Sequence, residues 1–282
     1  MPVNFIGVGA QRTASSWLYS CLYEHPDICA PQKEIHFFSR PRYKEQGIEW
    51  YKNIFESRCT SGQVCGEFST SYLVHELAAE RISHHIPDTK ILIILRNPVD
   101  RAFSQYLLHG KVGWLDPTQT TFKDFMETEP SAEMQSRYAL QLQRFYDRFP
   151  RECIHVMLYE DIETDPERVL LDVFTFLGVD PDFTPSFTHR VVNSGNRPKR
   201  LWVSQLMQQV SHFLYSTGFD RVVFAVKKSG LPALIRRGNS AGKAPDPSIE
   251  YYESLKESFA EDVSKAGEIT GLPLSERWGY TQ

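Results

Sequence analysis

From residue 4 to residue 178, short apolar runs alternate with stretches whose apolar side chains recur every three or four positions. Phe5, Ile6 and Val8 form a β-prone run that enters a glycine-bearing turn through Gly7 and Gly9. Residues 15–24 then read as a helix, with Trp17, Leu18, Cys21 and Leu22 on one side and His25-Pro26 as its stop. A short amphipathic helix is predicted over 47–55 and a strand over 64–68. Ser69, Thr70 and Ser71 suit the N-cap of a helix running to about residue 84. The run ILIIL, 91–95, is apolar on both faces, as a buried parallel strand should be. Pro98 fits the first position of a helix over 99–110. Helices follow at 122–128 and 133–148, the second carrying Met134, Tyr138, Leu142 and Phe145. A strand at 154–158 and a helix at 166–177, stopped by Gly178, complete the alternation. This order predicts an α/β protein: a three-layer fold with a central, mainly parallel sheet flanked by helices. Beyond it, helices are expected at 202–215 and along the stripe Ile249, Tyr252, Leu255, Phe259, Val263, Ala266, with Gly271 as cap.

The first turn carries candidate chemistry. A strand that bends at glycine into a helix aims backbone N–H groups and the positive end of a helix dipole at one point, which suits an anion. Against the phosphate loop G-x-x-x-x-G-K-[ST], Gly9 takes the first glycine, but Ala14, Ser15 and Ser16 stand where G-K-[ST] is required. The nucleotide lysine is missing and Arg12 is the cation of the loop. Strand 91–95 ends in Arg96, where a nucleoside triphosphatase would place a Mg²⁺-holding Asp. Ser104 lies on the helix that follows, so Arg96 and Ser104 together suit a second phosphate. In the segment KEIHFF, Glu34 and His36 would share a side of an extended chain, and a carboxylate beside an imidazole can take a proton from a hydroxyl. NSGNRPKR, 193–200, sets cations around Gly195 and suits a loop closing on an anion. Each piece alone also fits an ordinary reading: a βα turn with a surface Arg, an Arg pairing with a carboxylate, a solvated charged turn, a basic solvent loop.

Composition narrows the classes. The chain has 282 residues, 41% hydrophobic and 23% charged, enough for a full core. A net charge of -4 excludes a general nucleic-acid binder, so any anion site is local. The five cysteines are scattered, which suits free thiols in a reducing compartment, with Cys59–Cys65 the bridge considered. No apolar leader or membrane-length run is present, so the expected location is cytoplasmic.

Taken together, the segments resemble the sulfotransferases that use 3′-phosphoadenosine-5′-phosphosulfate (PAPS), nearest the heparan-sulfate N- and 3-O-sulfotransferase branch and its bacterial relatives. GAQRTASSWLY (9–19) is similar to that family's 5′-phosphosulfate loop and ILRNPVDRAFSQYLLH (94–109) to its 3′-phosphate element. KEIHFFSR (33–40) is similar to its acceptor-activating segment, and GEFSTSYL (66–73), the block 158–179 and NSGNRPKR match further blocks in order. The resemblance implies a P-loop-like fold and a single domain over 1–282, with a nucleotide-binding core at 1–200 and a helical extension at 201–282. It implies PAPS as sulfuryl donor, no metal, no nucleic acid, and a small-molecule or glycan acceptor. Gln11, Arg12, Thr13, Ala14, Ser15, Ser16 and Trp17 would hold the 5′ end. Arg96, Ser104, Gly195, Arg197 and Lys199 would hold the 3′-phosphate. Glu34 would be the base, His36 its orienting partner, and Arg12 would stand where the family usually has a catalytic Lys. The acceptor is expected to be a carbohydrate hydroxyl, with a lipid or secondary-metabolite hydroxyl as the alternative. A metal-dependent small-molecule kinase and a non-catalytic binding protein on the same fold remain rivals at this point.

Overall fold

The computed structural model describes residues 3–189, 196–198, 210, 226, 240–243 and 247–280. Five of the apolar runs become strands: β1 (Phe5–Gly9), β2 (Ile28–Cys29), β3 (Val64–Phe68), β4 (Lys90–Leu95) and β5 (Ile154–Leu158). They form one parallel sheet in the order β2-β3-β1-β4-β5. The reversal of direction along that order places the ends of β1 and β4 side by side, where open α/β sheets present their ligand crevice. Phe5, Ile6, Val8 and Ile91 through Leu95 are wholly buried. Gly7 is a correction to the expected bend, because it lies inside β1. A Cβ on it would meet Phe68 Cδ2 at 2.0 Å, so the Phe68 ring occupies the space of its missing side chain. Gly9, at φ 152°, begins the turn.

The chain divides into two compact units. The first, residues 1–97, 137–192 and 259–282, holds the sheet. Its helices are α1 (Ser15–Glu24), α2 (Arg42–Glu56) and α3 (Ala78–His85), with others from later in the chain. The second, residues 98–136 and 193–258, begins with α4 (Pro98–Val112), α5 (Phe122–Thr128) and α6 (Pro130–Ser136). Inside it Arg101 is fully buried on α4 and donates to Ser136 Oγ at 2.7 Å and to the Ala132 carbonyl at 2.7 Å, tying α4 to α6. The first unit continues with α7 (Ala139–Tyr146), α8 (Tyr159–Thr164) and α9 (Pro166–Leu177). β6 (Asn196–Pro198) and β7 (Ser240–Lys243) pair antiparallel in the second unit, with β6 beside α4. α10 (Ile249–Thr270) buries Phe259, Val263 and Ala266 and leaves Ile249 exposed, and α11 (Leu274–Arg277) follows Gly271.

Several expected boundaries move. α2 starts at Arg42, with Gly47 (φ 71°) breaking the helical geometry inside it. The helix expected over 133–148 is two helices, because Asp262 accepts the N–H groups of Tyr138 and Ala139 and so caps a fresh start at α7. Met134 is consequently exposed. Ser69–Thr70–Ser71 caps nothing: turns fill the stretch and α3 starts only at Ala78. Cys29 and Cys59 form a disulfide, which overturns the expectation of five free thiols and gives Cys59 a different partner from the Cys65 that had been weighed against it. β2 pairs with β3 so that Cys29 faces Cys65 in register, and all three sulfurs lie within 4.8 Å of one another. The cysteines therefore no longer point to a reducing compartment. The helix expected at 202–215 and the cations Lys227, Lys228, Arg236 and Arg237 lie outside the described residues. Among the described residues no helix is long and apolar enough to cross a membrane.

Candidate active site

Four non-glycine residues have positive φ among the described residues: Arg12 (78°), Ala14 (68°), Glu34 (58°) and His36 (56°). Such a conformation costs about 1–3 kcal/mol per residue and persists only where the surroundings enforce it. All four belong to two neighbouring loops that lead from the ends of β1 and β2.

The first loop runs from Gly9 to α1. The Ala10 N–H donates to the Ile94 carbonyl at 2.7 Å, and the buried Thr13 hydroxyl donates back to the Ala10 carbonyl at 2.7 Å. Thr13 thus stiffens the turn with its side chain. Left-handed Arg12 and Ala14 curl the backbone into a concavity of the kind that gathers anions. The N–H groups of Ser15 and Ser16, in the first turn of α1, find no backbone acceptor among the described residues. Gln11 is exposed, and Ala14 and Ser16 are half-buried. Trp17 departs from the expected ligand set: its indole N–H donates to the Phe187 and Thr188 carbonyls and its backbone N–H to the Ala14 carbonyl. It anchors α1 in the core.

Arg96 enters from the end of β4. Its Nη1 reaches the Arg12 carbonyl at 3.5 Å, and its guanidinium stacks 4.1 Å over the Tyr159 ring. Its Nε is buried with no hydrogen-bond partner among the described residues. Burial and then the charge of Arg96 lower Arg12 to about 10, with Tyr159 opposing. A buried Arg96 donor with no hydrogen-bond partner among the described residues, on a guanidinium whose charge is felt at Arg12, suits an anion at this point.

The second loop carries the carboxylate. Lys33 bridges to Phe68 at the end of β3, and the Glu34 N–H donates to the Phe68 carbonyl at 2.9 Å. The Glu34 carboxylate accepts from Lys33 Nζ at 2.8 Å, from the Thr70 N–H at 3.0 Å and from the Thr70 hydroxyl at 3.1 and 3.2 Å. His36 Nε2 stands 3.3 Å from it. So Glu34 and His36 do meet, but through left-handed backbone rather than along an extended chain. Burial pushes the Glu34 carboxyl up, yet Lys33, His36 and the bonds from Lys33 and Thr70 outweigh it and hold it below the ordinary value. Burial lowers the His36 imidazole, with Arg40, Lys33 and Arg42 adding to this and Glu34 opposing. His36 Nδ1 hydrogen-bonds the Ser71 hydroxyl at 2.7 Å, and Ser71 bonds Ser39 at 2.6 Å. The hydroxyls read as helix caps in the sequence are therefore the platform of this loop.

Lys33 Nζ also reaches the Ser15 hydroxyl at 3.5 Å, which joins the two loops into one site. Sequence reasoning noted Lys33 without giving it a task and missed Thr70, Ser71 and Tyr159. The adjacent Lys-Glu pair and the row of three hydroxyls were the available signals. Ser104 lies on α4 and the backbone of Arg197 on β6, both in the second unit. Gly195 and Lys199 lie outside the described residues.

The family described as the sulfotransferase domain matches residues 3–231. Human bifunctional heparan sulfate N-deacetylase/N-sulfotransferase 3 is 30% identical over 204 residues, covering 65% of this chain and 23% of its own length. Mouse heparan sulfate glucosamine 3-O-sulfotransferase 3B1 is 32% identical over 178 residues, covering 61% of this chain and 45% of its own. The chain thus spans less than half the length of either curated relative. The crystal structure of a sulfotransferase from Alicyclobacillus acidocaldarius superposes with a TM-score of 0.72 at 26% identity, covering 99% of both chains. With a central parallel sheet and the family match extending over most of its length, the chain belongs to the sulfotransferase domain family.

Proposed function

We propose that the chain acts as one sulfotransferase domain that moves a sulfuryl group from PAPS to an acceptor hydroxyl on a glucosamine-containing glycan. PAPS supplies the sulfuryl group and departs as adenosine 3′,5′-bisphosphate. The observation that carries this reading is Lys33, whose ammonium spans the Glu34 carboxylate at 2.8 Å and Ser15 of the anion turn at 3.5 Å. One cation so placed connects the group that receives a proton with the loop that receives the donor.

Each residue's part follows from its charge and position. Arg12, Lys33 and the N–H groups of Ser15 and Ser16 neutralise the 5′ anion, and charge growing on a leaving phosphate is met by groups already aimed at it. Arg96, at the end of β4, meets the 3′-phosphate, and the family resemblance assigns Ser104, Gly195, Arg197 and Lys199 to the same group. Arg12 keeps a positive charge even when lowered to about 10, so at neutral pH it acts by electrostatics and does not release its proton. Glu34, held below the ordinary carboxylate range, is ionised at neutral pH and takes the acceptor's proton. His36 orients it from one side and Thr70 from the other.

Glu34→Gln tests this directly. Transfer from ³⁵S-labelled PAPS to glucosamine oligosaccharides should fall by about 10²–10⁴-fold. Calorimetric binding of adenosine 3′,5′-bisphosphate should survive within a factor of about three, since the anion turn is untouched. Retained turnover, or a wild-type protein that takes up no bisphosphate, would refute the reading.

A further inference from the structure

Behind the carboxylate loop sits a second carboxylate that the proposed transfer does not use. Glu67 lies on β3 and is fully buried. Its Oε1 accepts from the Tyr72 hydroxyl at 2.7 Å and the Tyr51 hydroxyl at 3.2 Å, and its Oε2 accepts from the Ser69 hydroxyl at 2.5 Å. Ser69 is also fully buried, and its oxygen accepts the His36 backbone N–H at 2.9 Å. A continuous path therefore runs from the sheet to the left-handed backbone of His36, and His36 is the residue that flanks Glu34.

We propose that Glu67 is a positioning residue for the Glu34–His36 loop, acting through Ser69, and that its ionised form holds the loop in the working geometry. This rests on the reading of Glu34 as base. The mechanism is one of hydrogen-bond direction. While Glu67 is a carboxylate, Ser69 points its hydrogen at Oε2 and leaves a lone pair for the His36 N–H. A proton on Oε2 reverses that bond. Ser69 must then accept from Glu67 as well as from the His36 N–H and swing its own hydrogen away from Oε2, which reorients the hydroxyl that the His36 N–H meets.

The protonation change falls in the working range of pH. Burial raises the Glu67 carboxyl to about 7, against the bonds from Ser69, Tyr72 and Tyr51, while the charge of Glu34 adds to the rise. The groups that face it are Tyr51 from α2, Ser69 and Tyr72 from the turn after β3, and Glu34 from the loop above, and its register neighbour on β1 is apolar Ile6. Both tyrosines are pushed well above their ordinary value by burial and then by Glu67, so they stay neutral donors. Glu34 and His36 are both lowered from their ordinary values, which moves each away from the Glu67 transition. Activity should fall as pH drops through the Glu67 transition, because that is where the holding form is lost.

The decisive measurement follows the His36 amide in the full chain by ¹H–¹⁵N NMR with labelled histidine, the signal being assigned with His36→Gln. Its shift should titrate with a midpoint near 7 in the wild type and stay flat from pH 6 to 8 in Glu67→Gln, which fixes the neutral state. In parallel, wild-type kcat/KM should fall roughly 10-fold from pH 8 to pH 6, and Glu67→Gln should vary less than about threefold, near the wild-type value at pH 6. A titration surviving in Glu67→Gln, or a flat wild-type His36 signal, overturns the proposal. Should Glu67→Gln not fold, Ser69→Ala decides: it leaves the carboxylate with both tyrosines, and must itself abolish the His36 titration. The NMR readout needs no acceptor, so a failed base assignment, seen as active Glu34→Gln, is distinguished from a failed positioning role.

Discussion

Replacing Thr70 by Val removes one hydroxyl from beneath the Glu34 carboxylate, the proposed base, and nothing else of comparable size. The valine keeps the branched shape and the backbone N–H, which continues to reach Glu34 Oε2 at 3.0 Å. What disappears is the hydroxyl shared between Oε1 at 3.1 Å and Oε2 at 3.2 Å. A hydrogen bond to a charged group contributes about 1.5–3 kcal/mol. This one is divided between two oxygens and longer than the roughly 2.5–2.7 Å of a strong hydroxyl–carboxylate bond. The Glu34 side chain is also 31% exposed, so water replaces part of it. The expected loss is therefore about 1–1.5 kcal/mol, or roughly 5–12-fold in kcat/KM. Initial rates with labelled PAPS at saturating and limiting acceptor would measure it, with calorimetry of adenosine 3′,5′-bisphosphate as the control. The nucleotide affinity should hold, since Thr70 touches neither Arg12 nor Arg96 in any bond described. An activity loss below twofold would show that the hydroxyl does not steady the base, and a loss confined to nucleotide affinity would place Thr70 in a different task.

Two further expectations concern the scaffold. Gly7→Ala sets a methyl 2.0 Å from Phe68 Cδ2, far inside ordinary contact, and overpacking of this kind costs about 3 kcal/mol, a fall in Tm of roughly 6–12 °C. Because the Phe68 carbonyl holds the Glu34 N–H, turnover should drop as well at temperatures where the variant is folded; a Tm within about 2 °C of wild type would refute the packing argument. Cys29→Ser/Cys59→Ser opens a cross-link between residues 30 positions apart, which the chain-entropy relation values at about 3–4 kcal/mol, so differential scanning calorimetry should show Tm lowered by roughly 6–15 °C. An unchanged Tm, or five reactive thiols in unreduced, denatured wild-type protein, would contradict the bond.

The strands and several helices were legible because their signals are local. The strands at 64–68 and 154–158 and the helices at 122–128 and 166–177 coincide with the expected bounds. In the last, Asp165 caps the start through the Arg168 N–H and Gly178 (φ 80°) ends it. What escaped depended on partners distant in the chain. The break between α6 and α7 comes from Asp262, which lies 124 positions from Tyr138. Ser69, Thr70 and Ser71 carry residue types that serve equally as helix caps, and only the folded loop shows Glu34 and His36 above them. Alternation along KEIH correctly paired Glu34 with His36 but for the wrong reason, because period-two reasoning assumes a backbone that these two residues do not adopt. Lys33, the residue that joins the two loops, lacks any local signature beyond its charge. Cys29 and Cys59 were separated by a helix whose return path no residue pattern announces.

The third sulfur beside that cross-link has a practical consequence for handling the protein. Cys65 sits within 4.8 Å of both bonded partners, and burial raises its thiol, so in the native molecule it is a poor nucleophile. Denaturation removes that protection while keeping the three groups on a short tether, and mildly alkaline conditions then allow the bond to migrate. Such a swap leaves the free-thiol tally at three, so a colorimetric count would certify scrambled material as intact. Peptide mapping after acid quenching is the quality check this arrangement calls for.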